Sequence, residues 1–179
     1  ILRFLAVVCL IVAQPLAFGS AYEAPLPEGL KTDPAMCKYL NCADVLPGAS
    51  SFSERKGQPP YVEGYAEVNG QKKLVGYVFL STDITDIPAY SGKPVVTLIG
   101  MDAAGKIAGV RILKHSEPIL LLGIPEKKLI DFVNQYLGKP ADAKFEVGAG
   151  GDDVIHLDAI SGATVTVIAE NQVISLCAY

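Results

Sequence analysis

Cysteine and histidine are scarce in this chain of 179 residues. Only Cys9, Cys37, Cys42 and Cys177, with His115 and His156, are present. None of them fall at the paired spacing of a metal site, and there is no C-x-x-C-H string to attach a haem. The two histidines read most simply as strand-end residues. Runs of one charge are also missing, and the formal net charge is -4. A nucleic-acid partner would need a clustered basic face that displaces counterions, so no direct nucleic-acid contact is expected. Long apolar runs are absent as well. The longest, Phe4 to Ala13, is interrupted by Gln14 and Pro15, well short of the roughly 20 residues that span a bilayer. No repeat of domain-building length and no low-complexity tract appears.

What is present begins with that apolar run. Arg3 precedes it, and small residues follow at Gly19, Ser20 and Ala21, the layout of a secretory signal peptide over residues 1–21 with a cut after Gly19 or Ala21. Residues 1–21 hold one Arg and no acid, so their removal takes the charge to -5. Export would place Cys37 and Cys42 in an oxidising compartment, where they could close a small loop; a short helix with free thiols fits the same spacing. With half its residues hydrophobic, the chain is sized for one domain. Residues 22–60, rich in Pro, Gly and Ser, read as an extended N-terminal arm, and residues 61–179 as the domain.

Four segments of the domain are rich in β-branched and aromatic residues: Tyr61 to Val68, Lys73 to Leu80, Pro94 to Met101 and Lys106 to Leu113. Asn69 with Gly70, and the stretch Asp102 to Gly105, are turn chemistry, so an antiparallel meander is expected. Leu129, Ile130, Phe132, Val133, Tyr136 and Leu137 recur at helical spacing after Pro125, and Gly138 with Pro140 ends the run. A short strand, Val154 to Leu157, then leads to a closing helix from about Ala163 to Leu176. The fold class that follows is α+β: an antiparallel sheet, a packed helix and a C-terminal helix.

The segment between that last strand and helix carries the chemistry: Asp158, Ala159, Ile160, Ser161, Gly162, Ala163, Thr164. Ser161 is suited to cap the helix, and Gly162 and Ala163 leave room for a large group near the backbone. First-turn amides carry partial positive charge and welcome a phosphate. Thr164 then puts a hydroxyl where that phosphate would lie, with Thr166 the second choice along the same turn. Asp158 is available to orient a hydroxyl or hold a metal ion during transfer. The plainer reading is a capped helix with small residues for close packing.

Asp, two residues, then Ser, Gly, Ala, Thr resembles the flavinylation motif of the FMN-binding domain in two subunits of the sodium-pumping NADH:quinone reductase and in the Rnf complex. The resemblance implies FMN held covalently through its phosphate on the final Thr, here Thr164, and attached by a flavin transferase that uses FAD and magnesium. Beyond the motif, Glu117, Pro118, Ile119 and the leucines to Gly123, Ile124 and Pro125, with the stretch Asp86 to Pro94, resemble the N-terminal domain of NosR/NirI-type membrane flavoproteins. That resemblance covers roughly Cys37 to the end. It implies an exported domain at the periplasmic face of the bacterial inner membrane, serving nitrous oxide reduction. In that family membrane helices and iron–sulfur ligands follow, so a fragment, or electron partners on other chains, is expected.

On this reading the flavin does the redox work, and the chain is an electron-transfer component rather than a stand-alone enzyme. Tyr90 and the turn of Glu117, Pro118 and Ile119 are candidates for the ring's wall. The alternative is a periplasmic module that binds FMN non-covalently in a sensory or regulatory role. A hydrolase using Ser161 or Thr164 is disfavoured, because neither histidine lies in a triad context.

Overall fold

Asn69 and Gly70 take positive φ, 52° and 74°, the backbone of a two-residue hairpin turn whose twist matches its strands. They join β2 (Val62–Val68) to β3 (Gln71–Leu80) in the computed structural model, which describes residues 20–178. A second hairpin joins β4 (Val96–Asp102) to β5 (Ile107–Lys114). Asp102 fixes its turn by accepting from the amides of Ala104 and Lys106, each at 2.9 Å. With the two-residue β1 (Ser51–Phe52) these strands form an antiparallel sheet in the order β1-β2-β3-β4-β5. The expected meander is therefore present, with its strand ends shifted by a residue or two. The signal-peptide expectation falls almost wholly on residues 1–19, outside the described residues.

Both faces of the sheet are covered, and β4 shows how: Val96 and Leu98 belong to one core, while Ile99, the next residue, belongs to the other. The first core is built by residues 22–60. This stretch is not an extended arm. It folds into three short 3-10 turns, Glu28–Lys31, Met36–Lys38 and Cys42–Asp44, that bury Leu30, Met36, Val45 and Leu46. Its apolar residues have no regular period, so only tight single turns can bring them to one side. Gly100 and Gly109 pair across β4 and β5, and a Cβ on either would lie 2.0 or 2.5 Å from the Val45 backbone. The turn thus rests directly on the sheet where two side chains are missing. Arg55 fastens the stretch by donating to the carbonyls of Leu30 and Asp33 and pairing with Asp83 at 2.6 Å, on the one-turn helix α1 (Ser81–Ile84).

Cys37 and Cys42 form a disulfide, with Cα atoms 5.5 Å apart. It closes a loop of six residues in this core, and loop-closure entropy for that length corresponds to about 2 kcal/mol. Cys37→Ser with Cys42→Ser should therefore lower stability by about 2 kcal/mol, read as a lower urea midpoint.

The second core lies between the sheet and two helices. Helix α2 (Lys127–Asn134) buries Leu129, Phe132 and Val133, while Ile130 and Leu137 of the same apolar pattern are exposed. Its outer face carries an i,i+4 pair between Lys127 and Asp131. Helix α3 (Thr164–Ala178) begins one residue later than expected and buries Val167, Val173 and Ile174. The Tyr136 hydroxyl donates to Asn171 Oδ1 at 2.7 Å, and Asn171 donates on to the Phe145 carbonyl. Phe145 opens β6 (Phe145–Val147), which runs parallel to β7 (Ile155–Leu157) as a separate two-stranded sheet. This small sheet delivers the chain to the head of α3.

Candidate functional site

Three segments meet at the head of α3. The loop from 86 to 94 is pinched shut where the Ala89 amide donates to the Lys93 carbonyl and the Gly92 amide to Ala89. Tyr90 is at its tip, 66% exposed. The turn from 117 to 124 satisfies its own backbone, with the amides of Leu121, Leu122, Gly123 and Ile124 bonded to carbonyls of Pro118, Ile119 and Leu120. Together with the segment from Gly162 to Thr166 they line a cleft of about 290 Å³, walled by Tyr90, Pro118, Ile119 and Leu122. That volume is at the lower end of ligand sites, about 300–1,000 Å³.

The residues singled out from sequence divide clearly. Thr164 is exposed, is the first residue of α3 and lines the cleft. Gly162 and Ala163 line it too. Thr166 also borders the cleft, but it is 2% exposed and its hydroxyl donates to Glu117 at 2.5 Å. Ser161 sits in the turn three residues ahead of the helix, and the position preceding α3 belongs to Ala163. Ser161 is therefore not the residue next to the helix start. Asp158 is exposed and absent from the cleft lining; its backbone is clamped by Gln135, which accepts from the Asp158 amide at 2.7 Å and donates to its carbonyl.

Glu117 was a candidate wall residue, and its place is behind the wall. It is fully buried, and its carboxyl accepts from the amides of Tyr90 at 3.1 Å and Ser91 at 3.0 Å as well as from Thr166. One side chain thereby joins the Tyr90 loop, the turn it belongs to and the first turn of α3. Behind it the His115 ring accepts from the Glu117 amide through Nδ1 and contacts Glu126 through Nε2, both at 3.2 Å. Burial opposes ionisation of Glu126, yet bonds from Ser20, the Ala21 amide and His115 hold its carboxyl below the usual carboxylate range. This clasp had no periodic signature. Its only sign in the sequence is the adjacency of His115 and Glu117 beside Pro118.

The cleft suits a phosphate-linked ligand with a flat apolar part. The first-turn amides of α3 lack intrahelical acceptors, a free hydroxyl stands among them, and an exposed tyrosine and leucine face it. Gly162 has φ of +82°, and a Cβ there would meet Ile124 Cδ1 at 3.1 Å. Gly162→Ala should cost about 1–2 kcal/mol, measured by urea unfolding, and reduce ligand loading of the cleft. A larger cavity of about 610 Å³ lies between the segment at Ser20, β5 and α2. It contains no motif residue, so the motif and not size makes the smaller cleft the candidate site. Among the described residues no cluster of acidic, cysteine or histidine side chains could hold a metal ion, and no helix is long and apolar enough to cross a membrane.

A family model described as an FMN-binding domain matches residues 90–177, from Tyr90 almost to the end of α3. The regulatory protein NosR of Pseudomonas aeruginosa is 40% identical over 141 residues, covering 78% of this chain and 19% of that protein. NosR of Stutzerimonas stutzeri is 43% identical over 108 residues, 60% of this chain and 15% of its own length. Protein NirI of Paracoccus denitrificans is 29% identical over 98 residues, 55% of this chain and 14% of its own length. The chain thus spans less than a fifth of each of these relatives.

Proposed function

Because this chain carries an FMN-binding domain related to NosR and NirI, we propose that it is a flavodomain whose FMN is bonded through its phosphate to Thr164. The observation that carries this reading is the contrast between two threonines. Thr164 offers an exposed hydroxyl at the head of α3, whereas Thr166, two residues on, is buried and committed to Glu117. In the attachment step the Thr164 oxygen forms a bond to the FMN phosphorus of FAD, the bond to the AMP phosphate breaks, and AMP leaves with the proton given up by the Thr164 hydroxyl. A separate flavin transferase with magnesium catalyses it, as in the sodium-pumping reductase and Rnf resemblance, so no base is required of this chain.

Once bound, FMN supplies one- and two-electron redox chemistry. The chain's own residues position it. The amides of α3 would offset the phosphate charge, and Tyr90 and Leu122 would wall the ring beside Gly162; Asp158 and Ser161, outside the cleft lining, keep the part in attachment that the motif resemblance implies. We place the domain on the periplasmic side of the inner membrane after removal of residues 1–21. There it relays electrons between membrane-linked, iron–sulfur-containing partners in support of nitrous oxide reduction.

The name of two relatives, regulatory protein NosR, favours a second reading: a module that binds FMN reversibly and reports on it. The two are separated by loading the chain with FMN in the presence of active transferase, denaturing it and filtering. Flavin retained with the chain is the expected result. Flavin wholly in the filtrate would leave the reversible module as the correct reading.

A further inference from the structure

Helix α3 holds a single carboxyl, Glu170, and it is completely buried. Its Oε1 accepts from the Thr97 hydroxyl at 2.6 Å, and the Thr97 amide donates to Ser81 Oγ at 2.9 Å. Both partners are buried within the sheet side of the core, and Oε2 has no partner at all. An apolar residue of similar volume would fill this place at lower cost, so a carboxyl here calls for another account.

Its position on the helix supplies one. Thr166 lies one turn earlier on the same buried side, and its hydroxyl is held by Glu117 beneath the cleft. The buried side of α3 therefore carries two polar side chains one turn apart, Thr166 bonded to Glu117 at the cleft and Glu170 bonded to Thr97 further along the helix. Thr164 is six residues before Glu170, about 9 Å along the axis. We propose that Glu170 binds a proton when electrons load the cofactor site at the head of α3 and releases it when they leave. This rests on the FMN reading above. The electron comes from a reduced carrier and stays on the cofactor; the proton comes from solvent and converts the Glu170 carboxylate to the acid, and oxidation reverses both transfers.

The surroundings keep Glu170 in a useful range. Burial pushes its carboxyl up to about 7, opposed only by the Thr97 hydroxyl. The ionisable groups that feel or face this pocket are Tyr136 from beyond α2 and Cys177 from α3, both raised chiefly by burial and further by Glu170, with Asp83 of α1 acting on Cys177. None of these is a cation that would lock Glu170 in its ionised form. A negative charge added near the head of α3 raises the proton affinity of a carboxyl buried on the same helix; were the separation roughly 10 Å and the effective dielectric constant about 20, the rise would be about one pH unit.

The test compares the wild-type chain with Glu170→Gln. Without flavin, Glu170 is expected to ionise near 4.5 when unfolded and near 7 when folded. As pH rises through that window the unfolded chain loses its proton first, so the wild type should lose stability relative to Glu170→Gln and the difference should level off above it. With flavin bound, the midpoint potential of the wild type should fall more steeply with pH between about 6 and 8 than that of Glu170→Gln. The reduced-minus-oxidised infrared spectrum should show a carboxylic-acid carbonyl band that the variant lacks. Parallel potential curves, or identical infrared spectra, would overturn the coupling. Flavin released on denaturation would count against the Thr164 bond alone, because the potential is measured on the native holoprotein in either case.

Discussion

Thr164→Val, co-expressed with active flavin transferase, is expected to fold normally and to carry no flavin after denaturation, a complete loss against a fully labelled wild type. The residue is exposed at the head of α3 and is not among the core residues. Removing its hydroxyl should therefore shift stability by less than about 0.5 kcal/mol. Thr166→Val should behave in the opposite way. The flavin stays attached, but the chain is destabilised by about 1–2 kcal/mol because Glu117 loses a buried donor. The pair of variants separates anchor from brace: fluorescence in a denaturing gel reads the first, and urea unfolding reads the second.

Glu117→Ala should be the most destabilising single change at the site. It leaves the Thr166 hydroxyl and the amides of Tyr90 and Ser91 without their acceptor. At about 1–3 kcal/mol for each buried unpaired group, softened where the loop can take up water, the loss is about 3–5 kcal/mol. Glu117→Gln keeps an acceptor oxygen but turns an N–H group toward one of the donors, and should cost about half as much. The functional consequence follows from geometry, since the Tyr90 loop would no longer be tied to α3. Slower flavin loading in Glu117→Gln, at a temperature where the variant is fully folded, is the expected result. Loading indistinguishable from wild type would mean that Tyr90 needs no such tether.

The meander and the two longer helices were legible in the sequence because period and turn chemistry are local properties. Asn69 with Gly70 announces a hairpin whatever surrounds it. The packing of residues 22–60 is not legible for the converse reason. Leu30, Met36, Val45 and Leu46 have no period, and the cue for their burial lies far along the chain, in Gly100 and Gly109, where missing side chains let Val45 settle on the sheet. Strand β6 leaves no signature in the sequence because three residues give no alternation. At the site, the string ending in Thr164 was legible as chemistry, and the cleft places Tyr90 beside it. The task of Glu117 was not legible, because a buried carboxyl that accepts from two distant segments leaves no trace in local spacing.

The same limit explains Glu170. In sequence it is one acidic residue in an apolar helix, and only packing reveals that its side chain is buried and that one oxygen has no hydrogen-bond partner.

The central claim is the bond between Thr164 and the FMN phosphate, and peptide mass mapping tests it most directly. The wild-type chain, prepared with active transferase and FAD, is denatured, digested and sequenced in the mass spectrometer. The account predicts one modified peptide, heavier by FMN less water, with the added mass on Thr164. An unmodified Thr164 peptide with the transferase shown to be active, or the added mass on Thr166 or Ser161, would contradict it.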